Sequence, residues 1–163
     1  PHLKWGRVPQ GTKSLAVIMD DPASDVHGLA VDVLWTHWVV YSIKPEITEF
    51  AVGQVPGDFL KNGAKQGSND YKKVQYNGPC PIPTLSYFGG TGPLIAEERP
   101  YYFRLYAIDI PVSLSPGEDR DSLLQKIDGH ILAAGELPIP YKSTKKKSCE
   151  VHGVATCLKS VKR

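Results

Sequence analysis

The 163-residue chain is 41% hydrophobic and 22% charged, the balance of one ordinary globular domain, long enough to bury a core without disulfides or a structural metal. No run approaches the roughly 18 consecutive apolar residues of a membrane-spanning helix; the most apolar, Trp38-Val39-Val40-Tyr41, has the length of a strand. The net charge of +2 divides unevenly, with +6 after Tyr141 and −4 up to it, so the body lacks the clustered Lys and Arg of a nucleic-acid surface.

With 15 Gly and 14 Pro, helices have little room and a mainly β fold is predicted. The chain opens at Pro1, directly in what reads as structured sequence. Ser14 to Met19 (SLAVIM) reads as a buried strand after the turn Pro9-Gln10-Gly11-Thr12, and Leu34 to Ile43 as a second strand. From Thr48 to Gly92 the chain is rich in Gly and Pro loops, more than connections need, and long loops commonly build a binding face. Tyr101 to Ile108 is the third strand, with Arg104 as a polar, outward candidate. The one convincing helix runs from Ser115 to Ile127, with acids in its opening turn, Leu123, Leu124 and Ile127 on one side and Gly129 as its stop. A weaker fourth strand spans Ile131 to Leu137. Residues 142–163 form a basic tail containing Lys145-Lys146-Lys147, read as a solvated extension able to visit an anionic membrane surface weakly.

Three cysteines leave the redox compartment open. Cys149 and Cys157 could clip the tail into a loop or stay as free thiols, and no Cys or Cys/His spacing for zinc is present. No metal or cofactor is assigned, and the cytoplasm is the favoured compartment.

Three segments place polar chemistry at the end of an apolar strand. Asp21-Pro22 follows SLAVIM, so a carboxylate is expected at the strand's exit with proline stiffening a turn behind it. In Trp35-Thr36-His37-Trp38, strict alternation puts Trp35 and His37 on one face and Thr36 and Trp38 on the other. Tyr76-Asn77-Gly78-Pro79-Cys80-Pro81-Ile82-Pro83 is a stiff loop whose backbone amides could meet an anion. Taken alone, Asp21 could merely cap a turn, and a single His on a strand is more often a satisfied core residue than a ligand.

In chain order, DDP, WTHWVVYSI, GSNDY, YNGPCPIP, YYFRLYAID and GHILAAGEL resemble the phosphatidylethanolamine-binding protein family in its bacterial and archaeal, Raf-kinase-inhibitor-like branch. The resemblance covers about residues 1–141, read as one domain from which N-terminal strands of the family are missing. It implies a PEBP-like antiparallel β-sandwich with one peripheral helix and a shallow pocket for phosphate, phosphoethanolamine or a similar anion. By position, Asp21 and Pro22 take the start of the family's D-P-D-A-P segment, His37 preceded by Trp35 takes the pocket histidine, and Gly78, Cys80 and Pro81 take the Gly/Pro wall. Ala23-Ser24-Asp25 departs from the first motif, and Arg99 of Arg99-Pro100-Tyr101 stands where the family carries a second histidine in H-R-Y. An arginine there could bind an oxyanion through its planar fork, or project outward. Trp35 and Tyr101 would form the apolar wall.

The resemblance makes a non-enzymatic binding and regulatory protein the expectation. The alternative is a macromolecular inhibitor whose loop face blocks a serine protease or a protein kinase. A Cys80/His37/Asp21 thiol enzyme is the weakest reading, since nothing around Cys80 would activate a thiolate. His130 is expected to order the helix-to-strand junction and Glu136 to serve as a structural acceptor, while His2, His27 and His152 read as surface residues.

Overall fold

The computed structural model describes the backbone of residues 1–26, 29–79, 98–142, 148–151 and 155–158, and the side chains of residues 1–22, 34–79 and 100–141. His27, Cys80, Pro81, His152, the Lys145–Lys147 run and the side chain of Arg99 lie outside the described residues.

The three apolar runs form the middle of an antiparallel five-stranded sheet. β2 (Ser14–Val26) is flanked by β3 (Leu29–Ile43) and β6 (Glu98–Ile108), with β5 (Lys65–Gln66) beyond β3 and β7 (Ile131–Lys142) beyond β6. Burial on both faces explains why SLAVIM reads as a continuous apolar run. Leu15, Val17 and Met19 join Trp38, Val40, Tyr101 and Phe103 in one core cluster, closed over by the ribbon of β1 (Leu3–Lys4) and β4 (Glu49–Phe50). Ala16 and Ile18 join Val39, Tyr41 and Ile108 on the other face, where the helix α1 (Arg120–Ile127) docks through Leu123 and Ile127. Among the described residues the fold is thus mostly β with one peripheral helix, as predicted.

Several boundaries differ from the sequence expectation for identifiable reasons. β2 does not turn at Pro22 but continues to Val26, pairing Ser24 with Val33 across a register irregularity that begins at Asp21. A proline is tolerated at such an irregularity because a ladder bond is already missing there. The helix begins at Arg120 rather than Ser115. Gly117 has φ +88° and gives its N–H to the carbonyl of Gln66, while the Asp119 side chain caps the first turn by accepting from the Ser122 N–H at 2.9 Å. β7 runs past Leu137 through Pro138 and Pro140 to Lys142; two prolines spaced two apart can direct their missing donors to the same open edge. The tail holds a hairpin the sequence reading does not anticipate, β8 (Ser148–Val151) with β9 (Ala155–Leu158), whose register sets Cys149 opposite Cys157.

Candidate functional site: a bulged histidine beside a buried carboxylate

The site is made by one extra residue in β3. Met19 pairs with Trp38 and Asp20 with Thr36, so His37 has no counterpart on β2 and forms a β-bulge; Asp21 then lies opposite Trp35. A bulge breaks strict alternation. Trp38 packs edge-on against Phe50 and Tyr76 in the first core cluster, and His37 packs edge-on against Tyr101 of that same cluster, with ring centroids 5.2 Å apart. The expectation that Trp38 lies opposite His37 is therefore corrected, whereas Thr36 does turn to the other face and donates to Asp20 at 3.0 Å.

The outer edge of β3 is sealed by residues 65–77. β5 pairs with Val40 and Tyr41, the Gly67 N–H bonds the Val39 carbonyl, Asp70 exchanges two hydrogen bonds with the Thr36 backbone, and the Asn77 N–H bonds the His37 carbonyl at 3.1 Å. Asn69, 2% exposed, is the hub. Its amide donates to the carbonyls of His37 (3.2 Å) and Gln75 (2.9 Å) and to Asn77 Oδ1 (2.9 Å), while its Oδ1 accepts from the Lys73 N–H (3.1 Å). The loop so pinned presents the Asn77 carbonyl 3.1 Å from His37 Nδ1.

Asp21, His37, Tyr71 and Tyr101 are all buried and meet at this point. Tyr71 packs edge-on against both His37 and Trp35, each at 5.4 Å, and Tyr101 packs against Tyr141 of β7. Burial pushes His37 below the ordinary histidine range, against the opposing pull of the Asn77 carbonyl, the Asp21 and Asp70 charges and the Gly78 carbonyl. Burial likewise pushes the Tyr71 phenol up to about 12, with the Asp21 and Asp70 charges adding to the rise. At neutral pH the cluster therefore holds an uncharged His37 imidazole and an uncharged Tyr71 phenol beside Asp21.

The structure thus brings together Asp21, Trp35, His37, Gly78 and Tyr101, with Pro22 half-buried next to Asp21. Cys80 and Pro81 lie outside the described residues; Arg99 is placed only by its backbone, opposite Tyr141. Sequence reasoning missed Asn69, Asp70, Tyr71 and Asn77 as site residues, although all four stand in the GSNDY and YNG segments. Their density of Asn, Asp and Gly is also what any turn displays, so composition alone could not separate a scaffold loop from a pocket wall.

The opposite face carries a second polar cluster. Asp20, 1% exposed, accepts from Arg104 at 2.8 Å and from Thr36, and lies 3.6 Å from Arg120 of α1; Arg104 also reaches Glu136 at 2.9 Å. Arg104 is thus a bridge rather than a free outward residue, and Glu136 is the structural acceptor expected. His130 bonds Asp109 at 2.9 Å across the junction of α1 and β7, also as expected. Among the described residues, no three His, Cys, Asp or Glu side chains gather as a metal site, and no helix is long and apolar enough to cross a membrane.

Comparison with known proteins gives this architecture its class. Residues 1–142 match the family model for phosphatidylethanolamine-binding proteins. A UPF0098 protein of Methanothermobacter thermautotrophicus is 35% identical over 137 residues, 84% of this chain and 78% of its own. A counterpart in Aquifex aeolicus is 36% identical over 143 residues, 87% and 73% of the two chains. The crystal structure of a phosphatidylethanolamine-binding protein homologue from Chlamydia trachomatis superimposes with a TM-score of 0.70 at 33% identity, covering 88% of this chain and 80% of that one. Escherichia coli YbcL, a member of the mammalian PEBP family, also superimposes at 0.70, with 25% identity and the same coverage. The chain belongs to the phosphatidylethanolamine-binding protein family.

Proposed function

We propose that the chain is a PEBP-type binding protein whose pocket takes a small oxyanion, such as phosphate or the phosphoryl group of phosphoethanolamine, at Asp21, His37 and Tyr101. The observation that carries this reading is His37 itself. It is an ionisable ring seated on a bulge, walled by Trp35, Tyr71 and Tyr101, with a buried carboxylate from the neighbouring strand beside it. An apolar aromatic wall with few convergent polar groups is the usual composition of a small-ligand site. Gly78 supplies a main-chain group beside the ring.

Binding rather than turnover is the function proposed. The tail's lysines add a weak, salt-sensitive attraction to anionic membrane surfaces, each contributing about 1 kcal/mol near such a surface. A second reading, inhibition of a serine protease or kinase through the loop face, is favoured by Val52 and Phe59, which stand exposed on the 51–60 loop. That role would bury a standard-size interface and need no anion.

Isothermal titration with phosphoethanolamine at mildly acidic pH tests the first reading. His37→Ala is expected to lose a charge-assisted contact worth roughly 1.5–3 kcal/mol of binding while keeping its circular dichroism. Equal affinity in wild type and variant contradicts it.

A further inference from the structure

Resting on the anion-pocket reading, we infer that the pocket takes its oxyanion together with one proton, held between His37 Nε2 and the ligand, and so discriminates oxyanions by whether they carry a proton of their own. The partner of His37 Nδ1 is the main-chain carbonyl of Asn77, at 3.1 Å. A carbonyl oxygen only accepts, so Nδ1 carries the hydrogen. In a neutral ring with its proton on Nδ1, Nε2 bears a lone pair and offers nothing to a fully deprotonated oxygen.

The ring is not free to exchange this tautomer for the other. Asn77 is fixed by its own N–H on the His37 carbonyl and by its side chain on Asn69. Asn69 is itself committed at every polar atom, its backbone N–H and carbonyl engaging Lys73 and Lys72. Asn69 is therefore a positioning residue that acts on the ligand through His37. Turning the ring to place a hydrogen on Nε2 alone would set a lone pair against the Asn77 carbonyl inside a buried site, where an unpaired acceptor is costly.

The charges facing the ring point the same way. Asp21 comes from β2, Asp70 and Tyr71 from the loop after β5, and Tyr101 from β6 with Tyr141 of β7 behind it. Among the described groups facing the ring two are carboxylates and none is a cationic donor, so the hydrogen between Nε2 and an arriving oxyanion has to be supplied. Two sources can supply it. The ring can take up a second proton and donate from Nε2, or the ligand can donate its own proton to the Nε2 lone pair. Sulfate has no proton near neutral pH and must use the first route; hydrogen phosphate keeps one and can use the second.

The test is titration calorimetry of the full chain with sodium sulfate and with inorganic phosphate, in buffers of different ionisation heat, from about pH 5.5 to 8.5. Above about pH 7.5, a full unit past the ordinary histidine value, sulfate is expected to bind with uptake of about one proton and to weaken about tenfold per pH unit. Phosphate should weaken much less. Long-range proton–nitrogen NMR of the ligand-free protein should show His37 as the Nδ1–H tautomer, and Asn69→Ala, if its spectrum stays dispersed, should mix in the other. His37→Gln places an amide donor near the Nε2 position, so any sulfate binding it retains should be independent of pH. Asp21→Asn should keep the sulfate pH dependence. If Asp21→Asn abolishes that dependence, the proton belongs to Asp21 and the inference is overturned. Sulfate binding without proton uptake, or a wild-type Nε2–H tautomer, overturns this inference alone. Failure of both anions to bind even at about pH 5.5 overturns the anion reading and this inference with it.

Discussion

His37 is under two opposed demands. Burial favours the neutral ring, and the carbonyls and carboxylates around it favour the charged one, with burial prevailing. Because the folded value lies below the ordinary one of about 6.5, the unfolded chain takes up a proton first as pH falls. The stability held above that pH is lost on the way down through the folded value. The melting temperature is therefore expected to fall as pH drops below about 7. His37→Gln should flatten part of that slope, and sulfate, which selects the protonated native ring, should flatten it in the wild type. A slope unchanged by the substitution would contradict this account. Asn69 is the other residue on which the site depends. Asn69→Ala strips partners from the Gln75 carbonyl and the Lys73 N–H in a buried loop, and should cost about 2–3 kcal/mol in urea denaturation; a loss near zero would mean that the loop holds itself.

Between elements, the polar contacts on the second face matter as much as the apolar ones. Asp20 ties β2 to β6 through Arg104, with Arg120 bringing in α1. Arg104→Met leaves a buried carboxylate short of its closest cation and is expected to cost about 3 kcal/mol at neutral pH. Burial already raises Asp20 above the ordinary carboxylate range. The loss should therefore shrink as pH falls and the carboxyl takes up its proton; a pH-independent loss would assign the effect to packing alone. Gly67 is the matching constraint between loops. A Cβ there would meet the Glu118 carbonyl and the Val39 side chain, so Gly67→Ala should separate the 66–69 and 115–118 segments and lower the melting temperature sharply.

These elements show what a sequence can and cannot carry. The run SLAVIM announced the central sheet because burial on both faces leaves an unbroken apolar signature, and LWTHWVVYSI and YYFRLYAI did so through their β-branched and aromatic residues. The bulge at His37 left no such mark: it is a property of pairing with β2, visible only once Met19 faces Trp38 and Asp20 faces Thr36. Asp21 and His37 could be singled out from their residue types and the family order, but Tyr71 and Asn69 could not, because their contacts close across more than 30 residues of chain. The helix start failed for a local reason, since Pro116-Gly117 imitates a first turn while Gly117 is spent on the Gln66 carbonyl.

For the molecule as a whole, the basic tail and the pocket are separable by construction: β8 and β9 form a sheet of their own, apart from the five-stranded one. A chain ending at Lys142 is expected to keep its melting temperature and its affinity for phosphate, and to lose only low-salt binding to anionic vesicles; unfolding on truncation would make the hairpin part of the fold. The central claim is that one of five histidines is the anion contact, and those five rings report on it directly. Proton–carbon NMR of the histidine rings during titration with inorganic phosphate at about pH 6 should show His37 shifting saturably, with His2, His27, His130 and His152 still. A His37 signal that stays fixed, or five signals that drift together without saturating, would contradict it.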